Sequence, residues 1–316
     1  MSGFASTTDV EDKAISFQEL APDLYGYTAE GDPNSGVIIG DDSVMVVDAQ
    51  ATPITAQGII DRVRQVTDKP IRHVLLTHYH AVRVLGASAF KGAAVIASDA
   101  CRAMTVERGQ QDTDSEIGRF PRLFRGKQSI SGLTWPDCTF ERRMTLYLGR
   151  REVQIIHIGR SHTAGDTVAW LPKERVLYAG DIVEFGATPY CGDAQFADWP
   201  ATLAAVRALG AEALVPGRGR ALVTRAECEE AIAGTDAFTS DLFAVARRAA
   251  AGGADLKQCY AEAMTALRPR YGHWVIFDHC MPFNVSRAYD EAGGLDHPRI
   301  WTAERDVEMW RALEQG

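Results

Sequence analysis

Four apolar runs in this chain each end on a polar residue able to do chemistry. "VMVVDA" (44–49) closes on Asp48, and "HVLLT" (73–77) leads into His78 and His80. "EVQIIHIG" (152–159) precedes His162 in "GRSHTAGDT", and "RVLYAGD" (175–181) ends on Asp181. Short runs rich in Val, Ile and Leu, bounded by turn residues, read as strands. Polar residues at successive strand ends converge on one rim of a sheet, where active sites collect. Any fold for this chain must bring these four ends together.

The stretches between the runs fill in an alternating pattern. "LYGYTA" (24–29) and "SGVIIG" (35–40) are expected strands, and "TPITAQGIIDRVRQVT" (52–67) has helical spacing with Pro53 in its first turn. A helix over about 82–91, a strand over 93–98 and a helix over about 98–109 follow. Residues 110–137 are polar and rich in Gly and Pro, and are expected to run over the surface as a long lid-like excursion. Strands resume over 144–181, then a helix over 199–210 and a strand over 213–217. From Thr224 the pattern turns helical. Two β-rich halves, the second ending in helices, imply an α/β fold of two packed sheets with helices outside.

Bulk properties narrow the function. The 316 residues carry a net charge of −9, which argues against binding nucleic acid or an anionic membrane surface. No apolar run approaches the roughly 18 residues of a membrane span. The polar start is expected to be a flexible leader over 1–15 rather than a secretion signal. Six scattered cysteines without a CxxC pair suggest free thiols and a cytoplasmic location.

In an extended segment, residues two apart point the same way, so His78 and His80 can present two imidazoles to one ion. With His162 they make a three-histidine zinc site that keeps one position open, the arrangement of catalytic rather than structural zinc. Such a site lowers the pKa of bound water to about 7. Asp181 is then placed to accept a proton or hydrogen bond from that water.

In this order, Asp48, "THYH", "GRSHTAGD", "AGD" and the late "VPGRG" resemble the metallo-β-lactamase superfamily over about residues 16 to 220. The resemblance implies a four-layer αββα sandwich over 16–223, with the helical segment 224–316 packed on the same domain. It matches His78, His80 and His162 to the ligands of a first zinc, and Asp181 to a carboxylate that usually bridges two metals. The departures matter equally. The family motif HxHxDH ends here as Val82-Arg83, and the last histidine of "PGHG" is Arg218. Arginine stays protonated and has no lone pair to give a metal, so one zinc ion per chain is expected. Two guanidinium groups would stand where the second metal usually lies, holding Asp181 or offering a fork to a substrate anion.

Supporting roles are expected for Asp48, which would hold the metal loop, and for Asp166, which would fix the turn of His162. Glu184 and Tyr190, in the loop after Asp181, are candidate pocket residues. Cys191 lacks a visible base for nucleophilic work. His157 reads as a core histidine, and His273 and His279 lie outside the motif set. The expected activity is metal-dependent hydrolysis of an ester, thioester, lactone or amide of a small anionic substrate, with weak β-lactamase activity as a side reaction. The alternative is a non-catalytic metal- or anion-binding protein on a degenerate scaffold, and a homodimer is compatible with the helical C-terminal third.

Overall fold

Residues 4–314 are described by the computed structural model. The first half builds a seven-stranded sheet in sequence order: β1 (Ser16–Ala21), β2 (Leu24–Thr28), β3 (Ser35–Ile39), β4 (Val44–Val47), β5 (Ile71–Leu75), β6 (Ala94–Ser98) and β7 (Cys138–Phe140). The first four strands are antiparallel and the last four pair in parallel. The second sheet runs β8 (Arg143–Leu148), β9 (Arg151–His157), β10 (Thr167–Leu171), β11 (Val176–Gly180) and β12 (Ala213–Pro216). Its last pair, β11 and β12, is parallel.

The period-two alternation of strands separates the layers. In β4, Met45 and Val47 enter the apolar layer between the sheets, beside Ile38, Ile155, Tyr178 and Val215. Val44 and Val46 face the other way, toward α1 (Pro53–Val66), which contributes Ala56, Ile59 and Val63. In β11, Val176 and Tyr178 share the inter-sheet layer, while Leu177 and Ala179 pack under the outer helices. Strands buried on both faces explain why these runs read as continuous apolar segments. The result is the αββα sandwich with a helical extension.

The remaining helices are α2 (Ala81–Val84), α3 (Asp99–Arg119), α4 (Trp199–Leu209), α5 (Arg225–Ala251), α6 (Leu256–Tyr271), α7 (Phe277–Ala292) and α8 (Ala303–Glu314). Thr52 caps α1 through a reciprocal bond with Thr55, and Thr224 caps α5 through one with Glu227.

Two sequence expectations need correction. The helix expected over 82–91 is a single α turn followed by a 3-10 stretch, Leu85–Ala89. The excursion expected from residue 110 begins only after Arg119, because α3 continues for ten further residues. Those residues bury Asp112, Thr113, Ser115, Glu116 and Arg119 rather than an apolar stripe, so the periodic signal vanishes where the helix turns toward the site. Helix α7 gave no signal either. His279 through Ala288 are all buried, which erases amphipathic contrast, and Pro282 breaks the pattern.

Candidate functional site

Asp48 follows β4 with a left-handed backbone (φ 61). Its carboxylate accepts from the Thr77 amide at 2.8 Å and the Thr77 hydroxyl at 2.8 Å, so the end of β4 grips the loop leaving β5. His78 and His80 lie in this loop, beyond β5. Strand alternation, the basis of the sequence expectation, therefore does not aim them; hydrogen bonds do.

Each imidazole is fixed through one ring nitrogen. Thr77 Oγ1 spends its single proton on Asp48, so it accepts from His78 Nδ1 at 3.0 Å. The Tyr190 carbonyl can only accept, and takes the His162 Nδ1 hydrogen at 2.7 Å. The Asp193 carboxylate accepts from His80 Nε2 at 3.0 Å. The second nitrogens, His78 Nε2, His80 Nδ1 and His162 Nε2, are then the ones that carry lone pairs in neutral rings. The three histidines can place one ligand atom each within 4.8 Å of one another. His78 Nε2 has no hydrogen-bond partner. The three side chains are only 1–2 % exposed. Three such ring nitrogens gathered in the interior fit a metal cation, and a partner on the far nitrogen of each ring is the usual way proteins orient such ligands.

Electrostatics agree. Burial pushes His78 well below its ordinary value and His162 down to about 3, which keeps both neutral. Burial also pulls on His80, but Asp112, Asp193 and Glu116 raise it to about 9. Its Nδ1 lies 2.9 Å from His162 Nε2, close enough to share a proton there. The carboxylates that favour a proton here would equally favour a metal cation, which would take the proton's place.

The other side of the centre is built differently. Asp181 ends β11 behind Gly180, whose backbone is left-handed (φ +54) and whose added Cβ would lie 2.7 Å from Thr77 Oγ1. Asp181 Oδ1 accepts from Arg83 Nη2, and Oδ2 accepts from Arg218 Nη1 at 3.0 Å. Burial would raise this carboxyl, but the Arg83 and Arg218 guanidiniums hold it well below the usual range. Arg83 also donates to the carbonyls of Asn34 and Gly217, both at 2.6 Å. Gly217 has no room for a side chain, since a Cβ there would stand 2.4 Å from Asp181 Oδ1. Asp181 Oδ2 lies 3.9 Å from His78 Nε2 and 3.6 Å from His162 Nε2, at the border between the two halves.

Glu184 turns back onto the arginine loop, accepting from the Arg218 amide and from Arg218 Nη1 at 3.4 Å. Asp166 accepts from Ser161 Oγ at 2.6 Å and from the Thr163 amide and hydroxyl at 2.9 and 2.6 Å, locking the turn that carries His162. Burial raises Asp166 to about 6. Cys191 is buried with its thiol pushed well up, unsuited to a thiolate nucleophile. His157 Nδ1 bonds the Asp166 carbonyl at 2.8 Å.

Sequence reading missed a third set of residues. Asp193 receives Tyr79 Oη at 2.8 Å and Arg108 Nη1 at 2.8 Å as well as His80. Asp112 and Glu116 of α3 accept from the amides of Ala81 and Val82 at 2.8 and 2.9 Å, satisfying the first amides of α2 just after the metal loop. Their four-residue spacing was a usable signal once α3 was carried to Arg119. Asp193 had none, because its partners are remote in sequence.

Comparison with known proteins follows the same lines. The family model described as the Metallo-beta-lactamase superfamily matches residues 28–218, more than half of the chain. A metallo-beta-lactamase type 2 from Elizabethkingia meningoseptica is 23% identical over 199 residues, covering 60% of this chain and 72% of that protein. A linear primary-alkylsulfatase from a Pseudomonas strain is 22% identical over 226 residues, and the match spans 42% of its length. The stereoselective inverting sec-alkylsulfatase Pisa1 from Pseudomonas sp. superposes with a TM-score of 0.68 at 17% identity, over 88% of this chain and 50% of the sulfatase. At that identity the likeness speaks for the fold alone, and it extends into the C-terminal helices. With the fold, the ordered motifs and three histidines able to hold a metal in agreement, the chain belongs to the metallo-beta-lactamase superfamily, whose members are largely hydrolases.

Proposed function

We propose that the protein is a hydrolase with one zinc ion per chain, held by His78, His80 and His162, that cleaves an ester, thioester or lactone of a small anionic molecule. The convergence of three lone pairs on one buried point carries this reading. Zinc is the default for an all-imidazole set, and when bound it supplies Lewis acidity and brings the pKa of water toward neutrality.

The protein's own residues do the rest. Thr77, Asp193 and the Tyr190 carbonyl fix ring orientation. Arg83 and Arg218 replace a second metal as the positive partner of Asp181. Asp181, already accepting a guanidinium hydrogen on each oxygen, retains lone pairs facing the histidines and serves to orient a reacting water by hydrogen bond. Without a second metal, a leaving amine loses one stabiliser, which favours oxygen and sulfur leaving groups over lactams. The alkylsulfatase relatives add alkyl sulfates to the substrates worth assaying.

A second reading, metal or anion binding without turnover, draws on the closure of Asp181 between two arginines. Metal analysis together with assays on generic esters, thioesters, lactones, lactams and alkyl sulfates separates the two. One zinc per chain and turnover abolished by His162→Ala support the hydrolase. Two tightly held zinc ions refute the single-metal arrangement, and zinc binding without turnover on any panel member favours the second reading.

A further inference from the structure

Beside the metal loop lies an open cleft of about 260 Å3, lined by Tyr27, Gln50, Ala51, Ile54, Val82 and Leu123 among others. None of the three site imidazoles reaches it. The cleft and the centre are neighbours all the same. Val82 lies two residues beyond His80 and Gln50 two beyond Asp48, and two residues of chain span at most about 7 Å. Pro33, also in the wall, precedes Asn34, whose carbonyl accepts from Arg83 at 2.6 Å.

Two polar groups of this wall have unused bonding capacity. Gln50 donates both Nε2 hydrogens, to the Pro33 carbonyl and to Ser35 Oγ, each at 2.8 Å. A carbonyl only accepts, so the orientation of the amide is fixed and Oε1 is a pure acceptor. Among the described residues, neither that oxygen nor Tyr27 Oη has a hydrogen-bond partner, although Tyr27 is only 6 % exposed and Gln50 9 %. Neither oxygen is walled in, and the cleft is the open space that both side chains line. Strand register brings the two together. Ser35 pairs with Tyr27 across β2 and β3, and opposite residues carry side chains about 4.5–5.5 Å apart on one face, so the Gln50 amide on Ser35 sits beside the Tyr27 side chain. A few convergent polar groups in an otherwise apolar wall are what orient a bound small molecule.

The rest of the wall narrows the occupant. The charges at the mouth are already matched to each other. Arg122 donates to Asp32 at 2.8 Å and to Asp9 at 3.0 Å, Lys13 lies 3.2 Å from Asp9, and Asp12 is paired with Arg125. A neutral molecule therefore suits the cleft better than an ion. Ile15 and Ile54 leave apolar surface exposed at the rim, which an apolar body would cover. An engineered apolar cavity of roughly 150 Å3 takes up benzene, so this cleft has room for a substituted ring. Gln50 Oε1 needs a hydrogen and Tyr27 Oη has one to give, and a hydroxyl group can donate and accept at once.

We propose that this cleft binds a neutral alcohol with a compact apolar body. The hydroxyl donates to Gln50 Oε1 and accepts from Tyr27 Oη, while the body lies against Ala51, Ile54, Val82 and Leu123. The site stands apart from the proposed zinc chemistry and does not depend on it.

The test is calorimetric titration of zinc-loaded and chelator-treated protein with benzyl alcohol, benzyl methyl ether and benzoate. Benzyl alcohol should bind equally well with and without zinc. The ether keeps the ring but has no hydrogen for Gln50, and should bind about tenfold more weakly, the effect of one buried hydrogen bond. Benzoate, whose charge finds no free partner at the mouth, should bind the chelated protein more weakly than the alcohol. Tyr27→Phe removes a hydroxyl without a protein partner, so it should leave the urea midpoint unchanged while weakening the alcohol about three- to tenfold. The proposal is overturned by no heat from benzyl alcohol at millimolar concentration, by equal affinity for the alcohol and the ether or for the alcohol and benzoate, by unchanged affinity in Tyr27→Phe, or by binding lost on chelation.

Discussion

The two halves of this centre are opposites in hydrogen-bond terms. On one side, three imidazoles spend a donor each on Thr77, Asp193 and the Tyr190 carbonyl, and turn their remaining nitrogens toward a common point. On the other, Arg83 and Arg218 turn their hydrogens onto Asp181 and backbone carbonyls. The first half is complete only with a cation. The second already contains its counterion. Equal burial thus conceals unequal need: a row of lone pairs fits a metal, while the guanidinium–carboxylate cluster carries its own countercharge.

The contrast can be broken most severely from the arginine side. Arg83→Met leaves Asp181 and its neighbour Asp48 short of a buried countercharge, and should destabilise the fold by about 3–5 kcal/mol, read from urea unfolding. Loss below about 1 kcal/mol would mean that Arg83 is not the structural counterpart of a metal. On the histidine side, His78→Ala should leave the fold standing but weaken zinc binding by more than the roughly 10–100-fold expected of an outer partner, measured by competition with a chelator. Asp193→Asn should fall within that 10–100-fold range, because it loosens His80 without removing a ligand. Unchanged affinity would show that the Asp193 contact is idle.

A sharper version converts one half into the other. The triple change Val82→Asp, Arg83→His and Arg218→His restores the motif residues that the sequence lacks, and should raise zinc content from one to two per chain. If the variant folds and still binds one, the surrounding carbonyls of Asn34 and Gly217 rather than the arginines exclude the second ion. The smallest effect is expected from Thr77→Val, which removes the bond orienting His78 and one acceptance by Asp48. It should cost about 0.5–1.5 kcal/mol of stability per lost bond and weaken zinc binding less than Asp193→Asn.

Legibility followed the apolar pattern. Strands β4, β5, β9 and β11 were readable because each is a short apolar run ending in a polar residue, and the same runs delivered Asp48, His78, His80, His162 and Asp181. The pattern failed where burial was polar. The last turns of α3 bury Asp112, Ser115, Glu116 and Arg119, and α7 buries His279, Asn284 and Arg287. Both segments carry groups that surround the centre, so the periodic signal was weakest near the chemistry.

From the order of residues alone came two packed sheets with helices outside and the three metal-ligating candidates, since these depend on local period and residue type, while the family resemblance added the sandwich and the place of Arg83 and Arg218 among the motifs. Only the folded chain decided which nitrogen of each imidazole faces inward, that both arginines close on Asp181, and that Asp193 belongs to the neighbourhood. Most of those outcomes depend on donors and acceptors far apart in sequence, such as Arg83 with Asp181 and His80 with Asp193. No local pattern records such pairings; they exist once packing has brought the groups within hydrogen-bond reach.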